Sequence, residues 1–330
     1  MPNKWLIVKI ENFLKKEKKM NKIYLIILST SAIFMILFVQ SSFALEKTDI
    51  VVQADYNGDG KAEKAIWRPS NGTWYIFSGK QLQIVQWGLK GDIPVPADYD
   101  GDGADEICIW RPSEGNWYIS LENRSWVEKG NDYKIEQWGL NGDIPVPADY
   151  DGDGNDEICI WRPSEGNWYI SLANRSWTNK GNDYQIEQWG LFGDIPVPAD
   201  YDGDGSDEIC IWRPSEGNWY ISLANRSWSN KGSDYQVEQW GINGDKPIPA
   251  DYDGDQKDEI CIWRPSEGKW YISLANRSWN NKGNDYQIVK WGNQIFKPVP
   301  ADYRGDGITD IAAMLYTTGT WHIYGNILLP

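Results

Sequence analysis

The sequence predicts an all-β fold, a β-propeller of six four-stranded blades, on three observations. The motif Asp-Tyr-x-Gly-Asp recurs six times, beginning at Asp55, Asp98, Asp149, Asp200, Asp251 and Asp302, and the last four intervals are all 51 residues. Each unit carries four short β-prone runs separated by turn residues, and no helical period appears after residue 45. The chain also holds 21 Trp among 330 residues, far above ordinary usage and suited to thick interfaces between stacked sheets. Short four-stranded units in tandem cannot bury both faces alone, and packing them face to face around an axis does so. An open solenoid is the rival arrangement.

In chain order, residues 1–44 read as a signal peptide. A basic stretch from Lys15 to Lys22 precedes the apolar run Ile23 to Val39, and Ser42-Phe43-Ala44 offers small residues at −3 and −1 for cleavage after Ala44. Met20 is an alternative start, and a retained membrane anchor is the alternative fate of the apolar run. No Cys stands at the end of that run, so lipidation is not indicated. Either way the domain is exported, to the medium or the cell surface, and the style of the leader is bacterial. After cleavage no membrane insertion is expected.

Residues 45–330 then divide into six blades starting near residues 49, 92, 143, 194, 245 and 296. In the second unit the four runs are "IPVPADY", "EICIWRP" after the acidic loop, "NWYISL" after Pro-Ser-Glu-Gly, and "KIEQWG" after a polar loop. The first unit is shorter because it lacks eight residues between Trp74 and Trp87. The last keeps "TWHIYG" but ends in "NILLP", which leaves its outer edge short of a fourth strand.

The net charge is −15, and losing residues 1–44 removes seven Lys and two Glu, which leaves −20. No basic face is visible for a phosphate backbone, so nucleic acid is excluded as a partner. The acids concentrate in the loop that opens each unit. Asp98, Asp100, Asp102, the carbonyl of Ala104 and a carboxylate from Glu106 or Asp105 alternate along one tight turn, the donor set a hard cation such as Ca²⁺ needs. The same positions recur at Asp149, Asp151, Asp153 and Glu157, and at Asp200, Asp202, Asp204 and Glu208; the first unit offers Asp55, Asn57, Asp59 and Glu63. In the fifth unit Gln256 stands where Gly would take a positive φ, which makes Asp251, Asp253, Asp255 and Glu259 a weaker site. In the sixth, Arg304 occupies a ligand position, where its cation replaces a metal by pairing with Asp302, Asp306 or Asp310. Four calcium sites and a fifth, weaker one are expected. Four bound ions would bring the net charge from −20 to −12. The alternative is an acidic hairpin whose Asp side chains cap their own backbone.

The acidic loop followed at once by a strand, repeated over residues 49–326, resembles the FG-GAP/VCBS class of calcium-loop propeller repeats, which includes integrin α-subunit heads. The resemblance implies a propeller with calcium in its blade loops and a role in adhesion or ligand binding. The loop departs from that family in ending with Glu rather than Asp at its ninth position, which lets Asp105, Asp156 or Asp207 compete as ligand. An EF-hand is excluded, since it needs flanking helices and Glu at position twelve.

Cys108, Cys159, Cys210 and Cys261 hold one position in successive units, where the first and sixth units have Ala65 and Ala312. Equivalent residues of stacked sheets lie about 10 Å apart, beyond disulfide reach, so free buried thiols are expected. Trp74, Trp117, Trp168, Trp219, Trp270 and Trp321 recur in the third run and read as interblade core. Trp126, Trp177, Trp228 and Trp279 sit instead in the polar inserted loop after Asn-Arg-Ser, as a platform for sugar stacking or as a lid over the blade edge. His322 is the single histidine, which leaves little for triad or zinc chemistry. The expectation is therefore a monomeric, non-catalytic module binding an extracellular glycan or a surface protein, several times over. A protein-interaction scaffold and a calcium-assisted polysaccharide hydrolase or lyase are the alternatives.

Overall fold

The computed structural model describes residues 45–121, 133–172, 183–223, 234–274 and 285–325. Residues 1–44 and the inserted-loop residues Trp126, Trp177, Trp228 and Trp279 lie outside them. The described residues form six antiparallel sheets in simple up-and-down order, five of four strands and the last of three. Among the described residues the sixth blade has three strands; "NILLP" lies outside them.

Blade two shows how the pattern works. Its strands are Ile93–Pro94, Ile107–Arg111, Asn116–Ser120 and Tyr133–Gln137. The first is short because Pro94 and Pro96 have no N–H to give, and such a run is tolerated only at a sheet edge. It continues through single contacts, with the Val95 N–H donating to the Cys108 carbonyl and Ala97 bridging Glu106. Burial then falls outward. The second strand, Ile-Cys-Ile-Trp, is buried on both faces, the third alternates, and the fourth is mostly exposed. The second strand therefore reads as an unbroken apolar run because neighbouring blades cover both its sides.

The core lies between blades. Val52, Tyr56, Trp67 and Trp74 of blade one pack with Ile107 and Ile109 of blade two, and the same set recurs around the ring. The fourth-strand tryptophans fasten the outer seam: the Trp87 Nε1–H donates to the Tyr118 carbonyl of the next blade at 3.0 Å, and Trp138, Trp189, Trp240 and Trp291 repeat the bond. Third-strand Trp74, Trp117, Trp168, Trp219 and Trp270 are fully buried as expected, whereas Trp321 in the three-stranded sixth blade is only half-buried. Met314 fills the second-strand tryptophan position of that blade and is buried. The four cysteines are buried and free.

In blades one to five an ion pair that the sequence reading did not single out ties the start of the first strand to the end of the second. Arg111 grips Asp92 through Nε at 2.8 Å and Nη2 at 2.9 Å, and its guanidinium lies 4.4 Å from the centre of the Tyr118 ring. Pairs Arg68–Asp49, Arg162–Asp143, Arg213–Asp194 and Arg264–Asp245 repeat it. In blade six both partners change together, to Phe296 opposite Leu315.

Candidate metal centre

Each acidic loop is a tight turn between the first and second strands, and its geometry follows from where the glycines fall. Gly101 has φ of 72°, and a Cβ there would meet the Asn155 side-chain oxygen of the next loop at 2.1 Å. The φ favours glycine, and any other residue would also require the Asn155 amide to turn aside. Gln256 confirms the expected backbone, holding φ of 67° without being glycine.

Within loop two the first Asp organises the turn. Asp98 Oδ1 accepts from the N–H groups of Gly101 and Asp102, and Oδ2 from Gly103, at 2.7 to 3.1 Å. The capping role considered from the sequence is therefore real, and Asp302 shows it in the loop that carries Arg304. A carboxylate oxygen has lone pairs to spare, so capping and cation binding are compatible. Glu106 is fully buried, and its Oε2 accepts the Tyr99 N–H at 2.9 Å. Its carboxyl is pushed up to about 9, first by burial and then by repulsion from Asp100.

The structure brings three carboxylates of one loop within 4.8 Å of one another in four loops: Asp98, Asp100 and Glu106; Asp149, Asp151 and Glu157; Asp200, Asp202 and Glu208; and Asp251, Asp253 and Asp255. Asp102, Asp153 and Asp204 lie outside these triads, and each accepts the N–H two residues on. In loop five Asp255 takes the third place in the triad, while Glu259 accepts the Tyr252 N–H. Among the described residues loop one forms no such triad. There the Asn57 amide donates to Glu63, and Asp55 caps Gly58 and Gly60. Loop six carries its own cation, since Arg304 Nη2 lies 2.8 Å from Asp310 Oδ1 and 3.7 Å from Asp306 Oδ2.

That side-chain cation is a test of fit. It shows that this loop geometry accommodates positive charge between the third and ninth positions, and loops two to five place Asp at the position of Arg304. All donors are oxygens, the set preferred by hard divalent ions. Replacing Arg304 by Asp is expected to add one calcium equivalent in isothermal titration and to lower metal-free stability. Unchanged stoichiometry would show that Arg304 is not what keeps the ion out.

The eighth loop position makes a further contact beyond the ligand role considered for it. Asp105, Asp156, Asp207 and Asp258 reach back to the preceding blade, where their Oδ2 atoms accept the N–H of Asp55, Asp98, Asp149 and Asp200 at 2.7 to 3.1 Å. Their own N–H groups donate to the carbonyls of the same four residues. Thr309 continues this backbone bond to Asp251, and Ala62 donates to Asp302 at 2.7 Å, which closes the circle of six. The ring is closed, and the acidic loops line up along it. The signal for this role was in the sequence: the carboxylate is present in units two to five and replaced by Ala62 and Thr309 in the first and last.

The profile of the FG-GAP-like repeat matches residues 98–160, 149–211, 200–262 and 251–313, each match running from one acidic loop into the next. The chain belongs to the FG-GAP-like repeat family. No curated protein matches this FG-GAP propeller significantly. Among solved structures it is similar to a lectin from Agrocybe aegerita that recognises non-reducing terminal N-acetylglucosamine, at 16% identity, 86% of this chain, 81% of that chain and a TM-score of 0.52. Two others are BBS1N in complex with ARL6DN (10% identity, 87% and 98% coverage, TM-score 0.47) and the V. cholerae biofilm matrix protein Bap1 (19% identity, 75% and 39% coverage, TM-score 0.34). At these identities the likeness speaks to the fold.

Proposed function

We propose that this FG-GAP propeller is an exported, non-catalytic module whose acidic loops bind calcium and whose repeated surface binds an extracellular glycan. The observation that carries the metal reading is the set of four carboxylate triads on a closed ring, with Arg304 as a built-in cation in the sixth loop. Repetition supports the ligand reading. Near-identical middle blades offer the same groups several times, so weak contacts gain avidity wherever one target spans two blades. The Agrocybe lectin, with the same kind of fold, recognises a sugar, which fits this reading. A surface protein is the second reading, favoured by the exposed outer strands with Tyr133, Tyr184, Tyr235 and Tyr286.

Exchanging Trp126, Trp177, Trp228 and Trp279 together for Ala tests whether the inserted loops supply the sugar contacts. A glycan array is expected to lose signal at least tenfold with the melting temperature unchanged. A full signal from the variant would remove these loops from the binding surface.

A further inference from the structure

The face opposite the acidic loops is built from the connectors between blades and the Pro-Ser-Glu-Gly turns. Between the third and fourth blades, Leu191, Phe192 and Asp194, the turn Arg213 to Glu216, and Asn243 of the next connector line an open, solvent-facing pocket of about 430 Å3. That lies within the usual size range of small-ligand sites.

Phe192 is 85% exposed and Leu191 60%. The neighbouring repeats act as controls for the phenylalanine. Its position is Lys90, Asn141, Asn243 and Gln294 in the other connectors. The backbone at four of these connectors is the same: Gly91, Gly142, Gly193 and Gly244 all have φ between 94° and 100°. The first connector residue donates its N–H to the Asp three places on at Leu89, Leu140, Leu191 and Ile242 alike. The connector therefore folds without an aromatic side chain, and Phe192 answers to no packing need of the fold.

The polar groups beside it are held in place. Glu216 Oε2 accepts from the Tyr220 hydroxyl at 2.7 Å and the Asn218 amide at 3.0 Å. Arg213 spends Nε and Nη2 on Asp194 at 2.8 Å each and turns Nη1 toward Glu216 at 3.6 Å. With the guanidinium committed to two carboxylates, the site offers an anionic ligand no uncompensated cation. It does offer a fixed carboxylate acceptor, the Ser215 hydroxyl, the Asn243 amide and an apolar ring at the mouth. A pyranose presents the complement: hydroxyl donors along one edge and a C–H face for the ring.

We propose that this pocket is a single-copy subsite for one neutral pyranose residue, with Phe192 stacking on the sugar and Glu216 accepting from its hydroxyls. The proposal rests on the glycan-binding reading above and names its anchoring point. The carboxylate, Tyr and Arg recur in the other blades as Glu114, Tyr118 and Arg111 and their equivalents. The aromatic half occurs once. One anchored subsite among weaker copies is the arrangement this gives.

The test uses the full propeller and two variants. Phe192→Asn makes the connector read as it does after blade two, and Glu216→Gln keeps the shape but removes the charge. A glycan array of neutral and acidic glycans would be followed by titration with methyl glycosides of glucose, galactose and N-acetylglucosamine. The expected result is binding of a neutral sugar at one equivalent per chain, weakened at least tenfold in both variants with unchanged melting temperature. If neutral glycans bind Phe192→Asn and wild type equally, and the four-fold Trp variant loses them, this subsite is wrong while the glycan reading stands. If wild type binds acidic glycans alone, or Phe192 instead governs self-association or capture of a cationic peptide, the subsite is wrong while the glycan reading stands; if wild type binds no glycan at all, both are overturned.

Discussion

Calcium added to metal-free protein is expected to raise its melting temperature by roughly 10 °C or more, and the gain should grow as pH rises from about 5 to 8. An ion that binds only the folded form stabilises by about 2.7 kcal/mol per site at a hundredfold excess over Kd. Several sites on one ring therefore amount to a large share of a stability that is ordinarily about 5–15 kcal/mol. The pH dependence comes from the loop carboxyls. Glu106 is pushed up to about 9, and Asp105, Asp156 and Asp258 to about 7, burial being the largest cause for each. Unfolded, such groups titrate near 4. A carboxyl with a raised folded pKa favours folding fully below its unfolded value, and that contribution is lost as pH climbs through the folded one. Metal-free protein should thus weaken steadily between about pH 5 and 9. Calcium takes the ionised form and offsets the loss over the same window, releasing protons as it binds. Thermal melts in chelator and in calcium at several pH values measure this. A metal-independent melting temperature would remove calcium from the account.

The second large effect concerns the buried Asp–Arg pairs. Asp143→Ala is expected to cost about 3–5 kcal/mol, because it leaves the Arg162 guanidinium without its two-pronged partner in a site where the Asp side chain is only 2% exposed. The paired change Asp143→Phe with Arg162→Leu should recover most of that loss, since blade six already holds Phe296 against Leu315 in the same register. Denaturant melts of wild type, Asp143→Phe, Arg162→Leu and the double variant give the coupling directly. Additive losses would show that the pair is not a unit.

Most of the architecture was legible because the chain repeats itself. The 51-residue period, the unbroken Ile-Cys-Ile-Trp run and the alternating Asn-Trp-Tyr-Ile-Ser run set blade number, the doubly covered second strand and the half-covered third. The glycine-like φ at Gln256 and the pairing of Arg304 with Asp310 were also readable, since a departure within a repeat exposes what the position requires. What could not be read was direction. Spacing places Asp105 beside Glu106 but does not say that one faces its own loop and the other the preceding blade. Nor does it reveal that Asp92 and Arg111, nineteen residues apart, meet where the first strand starts and the second ends. Those facts depend on strand register and on neighbours that only ring closure brings together.

The backbone grip of each loop on the one before it means that the triads do not act in isolation. Asp156 holds both the N–H and the carbonyl of Asp98, so whatever tightens loop two is felt in loop three, and so on to loop five. Linkage makes such an influence mutual. The file is bounded at one end by the Asn57 amide and at the other by the Arg304 guanidinium, so titration along it should follow a short linear lattice, with Hill slopes departing from unity, rather than four separate isotherms.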